Sequence, residues 1–222
     1  MGQRVNSRAV ANAKYIVVEG PIGVGKTSLA RILANEFQAR TVFERVEDNP
    51  FLPKFYKSRE TYAFQNQTFF LLNRYQQQVE LAYQDLFSQN TVADYLFAKD
   101  QIFAGLTLSA EELNLYQQIY ALLNARVPKP DLVVYLQARP EVLYKRVKKR
   151  DKKYERGVTF EYLGEVAQAY NRFFFHYEET PLLVVNTSEI DFVSSSKDLA
   201  DLIKEINSMG SGTQHYIPLG SR

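Results

Sequence analysis

The sequence predicts an α/β domain in which a parallel sheet is covered by helices. Short β-branched runs alternate along the chain with longer stretches in which apolar residues recur at helical spacing. The runs are almost continuously apolar, which is typical of strands that are buried on both faces of a sheet. A length of 222 residues with 45% hydrophobic and 23% charged residues fits one globular domain that buries a full core.

Five strands are predicted in chain order, at residues 14–19, 41–46, 91–95, 131–136 and 182–185. A long helix is predicted over residues 62–86. Another helix begins at Ser109, which forms a capping-box pattern with Glu112 three residues later. The domain is expected to span residues 14–208, between a flexible N-terminus (residues 1–13) and a flexible C-terminal tail (residues 209–222).

The composition excludes several classes of function. A net charge of +2 is too small to favour binding to nucleic acid or to an acidic membrane surface. The absence of cysteine excludes disulfides and thiolate metal sites. No apolar stretch is long enough to span a bilayer, and we recognise no signal peptide. We therefore expect a cytoplasmic protein that binds neither nucleic acid nor membranes.

The most specific motif is a G-x-x-x-x-G-K-T octet between the first strand and the first helix, formed by Gly20, Pro21, Ile22, Gly23, Val24, Gly25, Lys26 and Thr27. Glycines let the backbone N–H groups point inward, where they and the helix N-terminus form an anion cradle. The lysine adds charge for the β- and γ-phosphates, and the threonine hydroxyl suits Mg²⁺. The octet and the next residue, Ser28, therefore predict a site for ATP and Mg²⁺.

Acidic residues follow two of the predicted strands. Glu44, Glu47 and Asp48 lie at the end of the second strand, and Asp94 lies at the end of the third. Ligands of an open parallel sheet collect at the carboxyl ends of its strands. A carboxylate beside a phosphate-binding loop can hold Mg²⁺ or accept the proton of an attacking hydroxyl. We therefore expect these carboxylates to share one site with the octet.

A densely basic segment covers residues 145–157, and its Arg146 and Arg150 are four apart on one helical face. Such a face is often simply solvated, or it forms a nucleic-acid patch. Arginines on a mobile segment also neutralise the charge of a transferring phosphoryl group. Because the overall charge gives no wider basic surface, we interpret residues 146–157 as a lid over the phosphates.

Taken together, these motifs resemble the deoxynucleoside kinase family, and most closely its bacterial deoxyguanosine/deoxyadenosine kinase branch. The resemblance covers residues 14–207 and rests on segments in the family's order: 20–27, 44–50, 64–69 with Arg74, 93–95 and 154–157. It implies a P-loop kinase three-layer fold, with a five-stranded parallel sheet flanked by helices and a basic lid. The implied activity is ATP-dependent phosphorylation of the 5′-hydroxyl of deoxyribonucleosides for nucleotide salvage. We expect deoxyadenosine or deoxyguanosine as the preferred acceptor, deoxycytidine as a weaker one and thymidine as the poorest.

The resemblance also implies roles for residues around the nucleoside. Glu44 matches the general base that acts on the 5′-hydroxyl, and Tyr56 and Glu155 match a pair that holds the sugar 3′-hydroxyl. The matches to residues that recognise the base are Gln67, Arg74 and Asp100. Gln67 and Arg74 are seven residues apart, so two helical turns bring both toward one cleft. Their donors and acceptors suit the edge of a purine.

On the phosphate side, the resemblance assigns catalytic roles to Lys26, Arg146 and Arg150, with Lys152 beside them in the lid. Asp94 matches the acid of an acid-Arg-Ser motif near Mg²⁺, so Thr27 and Asp94 are the implied metal ligands. The sequence departs from the family pattern at two neighbouring positions: Tyr95 replaces the arginine of that motif, and Arg45 replaces a proline. Whether Arg45 or a lid arginine supplies the missing charge is open at this point.

Two other classes of function compete with this reading. A nucleoside monophosphate kinase of the thymidylate kinase type shares the loop and the lid, but Asp94-Tyr95 lacks the arginine expected for the acceptor phosphate. A nucleotide switch would carry an Asp-x-x-Gly element or an Asn-Lys-x-Asp motif, and the sequence has neither. The resemblance further implies a homodimer through apolar residues of segments 62–86 or 109–126, with a tetramer also open.

Overall fold

The computed structural model describes residues 13–84 and 90–218, and it confirms an α/β fold with a parallel sheet flanked by helices. The predicted flexible N-terminus lies outside the described residues except for Ala13. The strand order is β2-β3-β1-β4-β5-β6, and every neighbouring pair is parallel. The strands are β1 Tyr15–Glu19, β2 Arg40–Val42, β3 Thr91–Ala93, β4 Leu132–Gln137, β5 Leu182–Asn186 and β6 Thr213–Tyr216.

The sheet has six strands, so the prediction of five was wrong. The sixth strand pairs with β5, with Thr213 opposite Leu182 and Tyr216 opposite Val185. It lies within residues 209–222, which the sequence analysis assigned to a flexible tail. The segment Thr-Gln-His-Tyr alternates exposed and half-buried residues and contains no apolar run. Hydrogen bonding to β5 and packing of Tyr216 on the core therefore stabilise a strand that has no hydrophobic signal of its own.

Eight α-helices and one 3₁₀ turn are described: α1 Lys26–Glu36, α2 Leu52–Phe55, α3 Arg59–Gln84, α4 Lys99–Thr107, α5 Ala110–Asn124, α6 Pro140–Arg150, the turn Lys153–Glu155, α7 Phe160–Phe175 and α8 Ser196–Ser208. The predicted capping box is confirmed, because the Ser109 hydroxyl accepts from the Glu112 N–H and the Glu112 carboxylate accepts from the Ser109 N–H. The long predicted helix is α3. None of the helices in the described ranges is long and apolar enough to cross a membrane.

The position of β1 decides where a ligand binds. This strand is fully buried, and it pairs with β3 on one side and β4 on the other. After β1 the chain crosses to β2 on one side of the sheet, and after β3 it crosses back past β1 to β4 on the other side. This reversal of direction opens a crevice at the carboxyl ends of the strands. The glycine octet, Glu44 and Asp94 all follow strands at this edge.

Candidate active site

A cavity of ≈ 460 Å³ lies at the carboxyl edge of β1, β2 and β3. Its volume falls in the usual range for small-molecule sites, about 300–1,000 Å³. It brings together most of the residues predicted from the sequence, namely Lys26, Thr27, Glu44, Tyr56, Gln67, Arg74, Asp94, Arg150, Lys152 and Glu155. Asp100 and Arg146 are not among its lining residues.

The phosphate-binding loop needs its glycines for space and for backbone conformation. Gly23 and Gly25 have φ of 87° and 110°, a left-handed region that favours glycine. A Cβ at Gly23 would lie 2.8 Å from the Leu143 carbonyl oxygen, and one at Gly20 would lie 2.4 Å from the Leu136 carbonyl oxygen. The loop therefore packs directly on neighbouring backbone, and α1 begins at its end with Lys26. The N–H groups of this loop would form the anion cradle that the octet predicts.

Lys26 is folded back onto the loop. Its Nζ donates to the carbonyl oxygens of Gly20 and Pro21, at 2.7 and 3.2 Å. Burial lowers the pKa of this lysine, and the nearby charge of Lys99 acts in the same direction, whereas Glu19 opposes it. An anion placed in the cradle would act in the opposite direction and raise the pKa of Lys26.

Sequence reasoning missed Glu19, the last residue of β1. Its buried carboxylate accepts from the Gly20 N–H at 2.8 Å, the Leu96 N–H at 2.6 Å and the Tyr170 hydroxyl at 3.1 Å. These bonds tie the phosphate-binding loop to the segment after β3 and to α7. The available signal was an acid that ends an otherwise apolar strand, because a buried carboxylate needs partners.

Thr27 and Asp94, the two predicted metal ligands, are in direct contact. The Thr27 hydroxyl donates to one oxygen of the Asp94 carboxylate, and the other oxygen accepts from the Glu44 N–H at 2.8 Å. Hydroxyl and carboxylate oxygens are ligands that Mg²⁺ accepts. The described residues contain no cluster of three or more His, Asp or Glu placed to hold a metal. An ion held here would therefore take its other ligands from phosphate and water.

Glu44 lies just beyond β2 at the centre of a buried charge cluster. Its carboxylate accepts from Nε and Nη2 of Arg74 and from Nζ of Lys99, and Arg74 Nη1 also donates to Asp100. Side-chain exposure is 11% for Glu44 and 4% or less for Arg74, Lys99 and Asp100. Although burial alone would raise it, Arg74 and Lys99 hold the pKa of Glu44 well below its usual range. Glu44 is therefore ionised and fixed in place.

The candidate site for the nucleobase is formed by α3 and the start of α4. Gln67 and Arg74 are buried on α3 and line the cavity, and Gln67 Nε2 donates to the Thr107 hydroxyl at 3.2 Å. Asp100 is fully buried behind Arg74 rather than at the cavity surface. Burial raises the pKa of Asp100 to about 6, against the opposing effect of Arg74. Asp100 thus acts on the cavity through the orientation of Arg74.

Tyr56, just after α2, and Glu155, in the 3₁₀ turn, face the same cavity. Tyr56 packs edge-on against Tyr162 at 6.3 Å between ring centroids, and a Cβ at Gly157 would lie 2.8 Å from the Cβ of Tyr56. Burial raises the pKa of Tyr56 well above its usual range, and the Glu155 carboxylate adds to this effect. The tyrosine hydroxyl therefore remains a hydrogen-bond donor at every working pH.

The structure separates the two lid arginines. Arg150 lines the cavity, and its guanidinium donates through Nε and Nη2 to the Glu155 carboxylate. Arg146 instead donates to the carbonyl of Val24 at 3.2 Å and to the hydroxyl and carbonyl of Thr187 at 3.2 and 3.0 Å. In this conformation Arg146 fastens α6 to the phosphate-binding loop and to the loop after β5, outside the cavity lining.

Sequence reasoning also missed Lys99, the first residue of α4. Its signal was a lysine at the end of the apolar run Tyr95-Leu96-Phe97-Ala98, immediately before Asp100. At the position that departs from the family pattern, Tyr95 is fully buried and its hydroxyl accepts from Gln78 Nε2 at 3.2 Å. Tyr95 therefore points into the core and is absent from the cavity lining.

Comparison with known proteins places this site in a family. Residues 16–210 match the deoxynucleoside kinase family. The chain is 36% identical over 204 residues to a deoxyguanosine kinase of Bacillus subtilis, covering 87% of this chain and 98% of that one. It is 30% identical over 208 residues to a deoxyadenosine kinase of Lactobacillus acidophilus, covering 87% and 95% of the two chains.

A solved structure supports the fold. Deoxyadenosine kinase from M. mycoides, with dCMP and a flexible dCDP bound, superposes with a TM-score of 0.76 at 24% identity, covering 87% of this chain and 99% of that one. The names of the relatives agree with the family that the motifs resemble, and nothing among them favours a nucleoside monophosphate kinase. The chain therefore belongs to the deoxynucleoside kinase family and is a phosphotransferase.

Proposed function

We propose that this enzyme transfers the γ-phosphoryl group of ATP to the 5′-hydroxyl of a purine deoxyribonucleoside. The observation that carries the proposal is the contact chain from the phosphate-binding loop to Glu44. Asp94 accepts from the Thr27 hydroxyl with one oxygen and from the Glu44 N–H with the other. Glu44, the candidate general base for the acceptor hydroxyl, is thereby held beside a candidate site for the donor phosphates. Relatives named as deoxyguanosine and deoxyadenosine kinases support the choice of acceptor.

On the donor side, the triphosphate would lie in the cradle of backbone N–H groups. Lys26 would exchange the carbonyl oxygens of Gly20 and Pro21 for β- and γ-phosphate oxygens. Thr27 and Asp94 would hold Mg²⁺, which when bound neutralises part of the phosphate charge. Arg150 lies at the open side of the cavity with 39% of its side chain exposed, within reach of a nucleotide that enters there.

On the acceptor side, the 5′-oxygen forms a bond to the γ-phosphorus while the bond to the β,γ-bridging oxygen breaks and ADP leaves. The hydroxyl proton passes to the Glu44 carboxylate. Because Arg74 and Lys99 hold the pKa of Glu44 low, the carboxylate is a weak base toward an intact hydroxyl. In a loose phosphoryl-transfer transition state, the hydroxyl becomes strongly acidic only as its oxygen bonds to phosphorus. Glu44 therefore orients the hydroxyl first and accepts its proton late.

The base and sugar contacts follow from the other cavity residues. Arg74 offers a fork of donors and Gln67 offers a donor and an acceptor, which together suit an edge that carries an amino or carbonyl group beside a ring nitrogen. Tyr56 and Glu155 would bind the 3′-hydroxyl. The thymine methyl group would press against these polar groups and leave them without partners, which is a strong basis for rejection.

The decisive experiment is a steady-state panel of the four deoxynucleosides and their ribonucleoside counterparts, each with ATP and Mg²⁺. We expect the highest kcat/KM for deoxyadenosine or deoxyguanosine, a lower value for deoxycytidine and the lowest for thymidine. A preference for thymidine would contradict the proposed base site while leaving the family unchanged. Faster turnover with a nucleoside monophosphate as acceptor would contradict the proposed reaction.

The same proposal includes a cytoplasmic homodimer, since ATP is the donor and apolar side chains remain exposed on two helices. Leu72 on α3 and Leu115 and Leu122 on α5 are 50%, 50% and 75% exposed. Leu115 and Leu122 are seven residues apart, so they share one face of α5. Light scattering of the wild-type protein and of Leu122→Asp tests this, because a charge at a dimer contact favours the monomer.

A further inference from the structure

Lys99 occupies a position that is unfavourable for a lysine. It is 3% exposed, and it is the first residue of α4, where the positive end of the helix dipole disfavours a cation. A buried ammonium group costs several kcal/mol unless it is paired. Its Nζ lies 2.5 Å from Oε2 of Glu44, so the partner that compensates this cost is the candidate general base itself.

Among the described residues, Arg74 and Lys99 are the cations that form ion pairs with Glu44, whereas Lys26 donates to the carbonyls of its own loop. Tyr95 is directed into the core toward Gln78. Arg45 lines the cavity but is exposed, and Arg150 pairs with Glu155. Arg146 is bound to backbone outside the cavity. Lys99 lines the cavity together with Lys26, Thr27 and Asp94.

We propose that Lys99 is the positioning residue of Glu44 and supplies, from the start of α4, the positive charge that is missing at Tyr95. Arg74 and Lys99 divide the carboxylate between them, since Arg74 binds Oε1 and Lys99 binds Oε2. Arg74 is also committed to Asp100. Lys99 therefore decides the rotation of the Glu44 carboxylate. This inference rests on the proposed function, in which Glu44 accepts the 5′-hydroxyl proton.

The charge balance of the cluster gives Lys99 a second effect. Two cations, Arg74 and Lys99, and two carboxylates, Glu44 and Asp100, give a formal charge of 2 − 2 = 0 in the resting site. When Glu44 takes the proton, the cluster becomes positive by one unit. The acceptor oxygen gains a negatively charged phosphoryl group in the same step. The charge of Lys99, no longer neutralised by Glu44, then stabilises the product side of the reaction.

The test is the pH profile of kcat/KM for the wild type, Lys99→Met, Lys99→Gln and Lys99→Arg with deoxyguanosine and deoxyadenosine. Loss of an adjacent opposite charge raises the pKa of a carboxyl group, by about 1–3 units for a close pair. We therefore expect the acid limb to move to higher pH in the Met and Gln variants, with kcat reduced about 10²-fold. Lys99→Arg keeps the charge and should hold the limb near its wild-type position.

Lys197→Met is the matched control, because Lys197 is an exposed lysine in the first turn of α8. It removes a lysine from a helix N-terminus without touching the cavity and should leave the profile unchanged. Titration of the Glu44 carboxyl by ¹³C NMR, assigned with Glu44→Gln, gives a readout that does not need turnover. We expect a higher Glu44 pKa in Lys99→Met and in Lys99→Gln.

The outcomes are distinct. Turnover within about threefold of wild type with an unmoved acid limb would overturn the positioning role. The positioning role would also be contradicted if the Glu44 pKa did not change in Lys99→Met, or if Lys99→Arg turned over no faster than Lys99→Met. If the wild type phosphorylates no nucleoside while the Glu44 titration still depends on Lys99, the proposed function fails and the charge coupling stands.

Discussion

The donor and acceptor halves of the cavity hold their charges in different ways. In the donor half, Lys26 donates to two carbonyl oxygens of its own loop, and Arg150, whose side chain is 39% exposed, pairs with the Glu155 carboxylate. In the proposed mechanism an incoming nucleotide replaces these partners. In the acceptor half, Glu44, Arg74, Lys99 and Asp100 pair with one another in a buried charge network. The donor half is built to rearrange on binding, whereas the acceptor half is preorganised.

The difference has a physical basis. A triphosphate brings several negative charges. Before it binds, the cations that receive it need only hydrogen-bond acceptors that the phosphates can replace. A nucleoside is uncharged, and it can bring no charge to compensate a buried ion. The acceptor half therefore balances its own charges, and in the proposed mechanism its one change of charge is the arrival of a proton on Glu44. We therefore expect variants in the two halves to differ in how they change kcat, KM and thermal stability.

The largest effect is expected from Glu44→Gln in the acceptor half. The amide keeps the shape but cannot accept the proton, and general-base catalysis typically contributes about 10²- to 10⁴-fold. We expect a fall in kcat of that size with the KM for the nucleoside within a few-fold of wild type. Steady-state kinetics with circular dichroism as a check of folding measures this. Glu47→Gln is the control, since the Glu47 side chain is 74% exposed. If kcat fell by this amount in Glu47→Gln but not in Glu44→Gln, the general base would be misassigned.

A smaller effect should separate the two lid arginines. Arg150→Met should lower kcat about 10²-fold, as for loss of one group that stabilises transition-state charge. Its effect on the fold should be confined to loss of the Glu155 ion pair. Arg146→Met should lower the melting temperature, because Val24, Thr187 and Ile190 lose the guanidinium that links them. Thermal unfolding and single-turnover rates of both variants make the comparison. If Arg146→Met is fully stable but slow, Arg146 acts on the phosphates after all.

The same contrast explains how much the sequence alone revealed. The donor loop is contiguous, so residues 20–27 predicted its geometry directly, and five strands followed from apolar runs. The acceptor site combines α2, α3, α4 and the loop after β2, so Arg74 and Glu44, 30 residues apart, were linked only by resemblance. Lys99 and Glu19 were missed because burial and pairing are properties of the folded chain. Strand β6 was missed because its pairing to β5, rather than its hydrophobicity, holds it.

The smallest effect is expected from Tyr56→Phe, which tests the preorganised half at the sugar. Removing one hydrogen bond to a buried hydroxyl costs about 1–3 kcal/mol, so kcat/KM should fall about 5- to 150-fold with a 2′-deoxynucleoside. The phenylalanine keeps the packing against Tyr162 and beneath Gly157, so folding should be unchanged. A 2′,3′-dideoxynucleoside lacks the hydroxyl, and its kcat/KM should be nearly the same for both proteins. Glu155→Gln should penalise both substrates, because it also removes the carboxylate that holds Arg150. Equal losses for both substrates in Tyr56→Phe would remove Tyr56 from the sugar site.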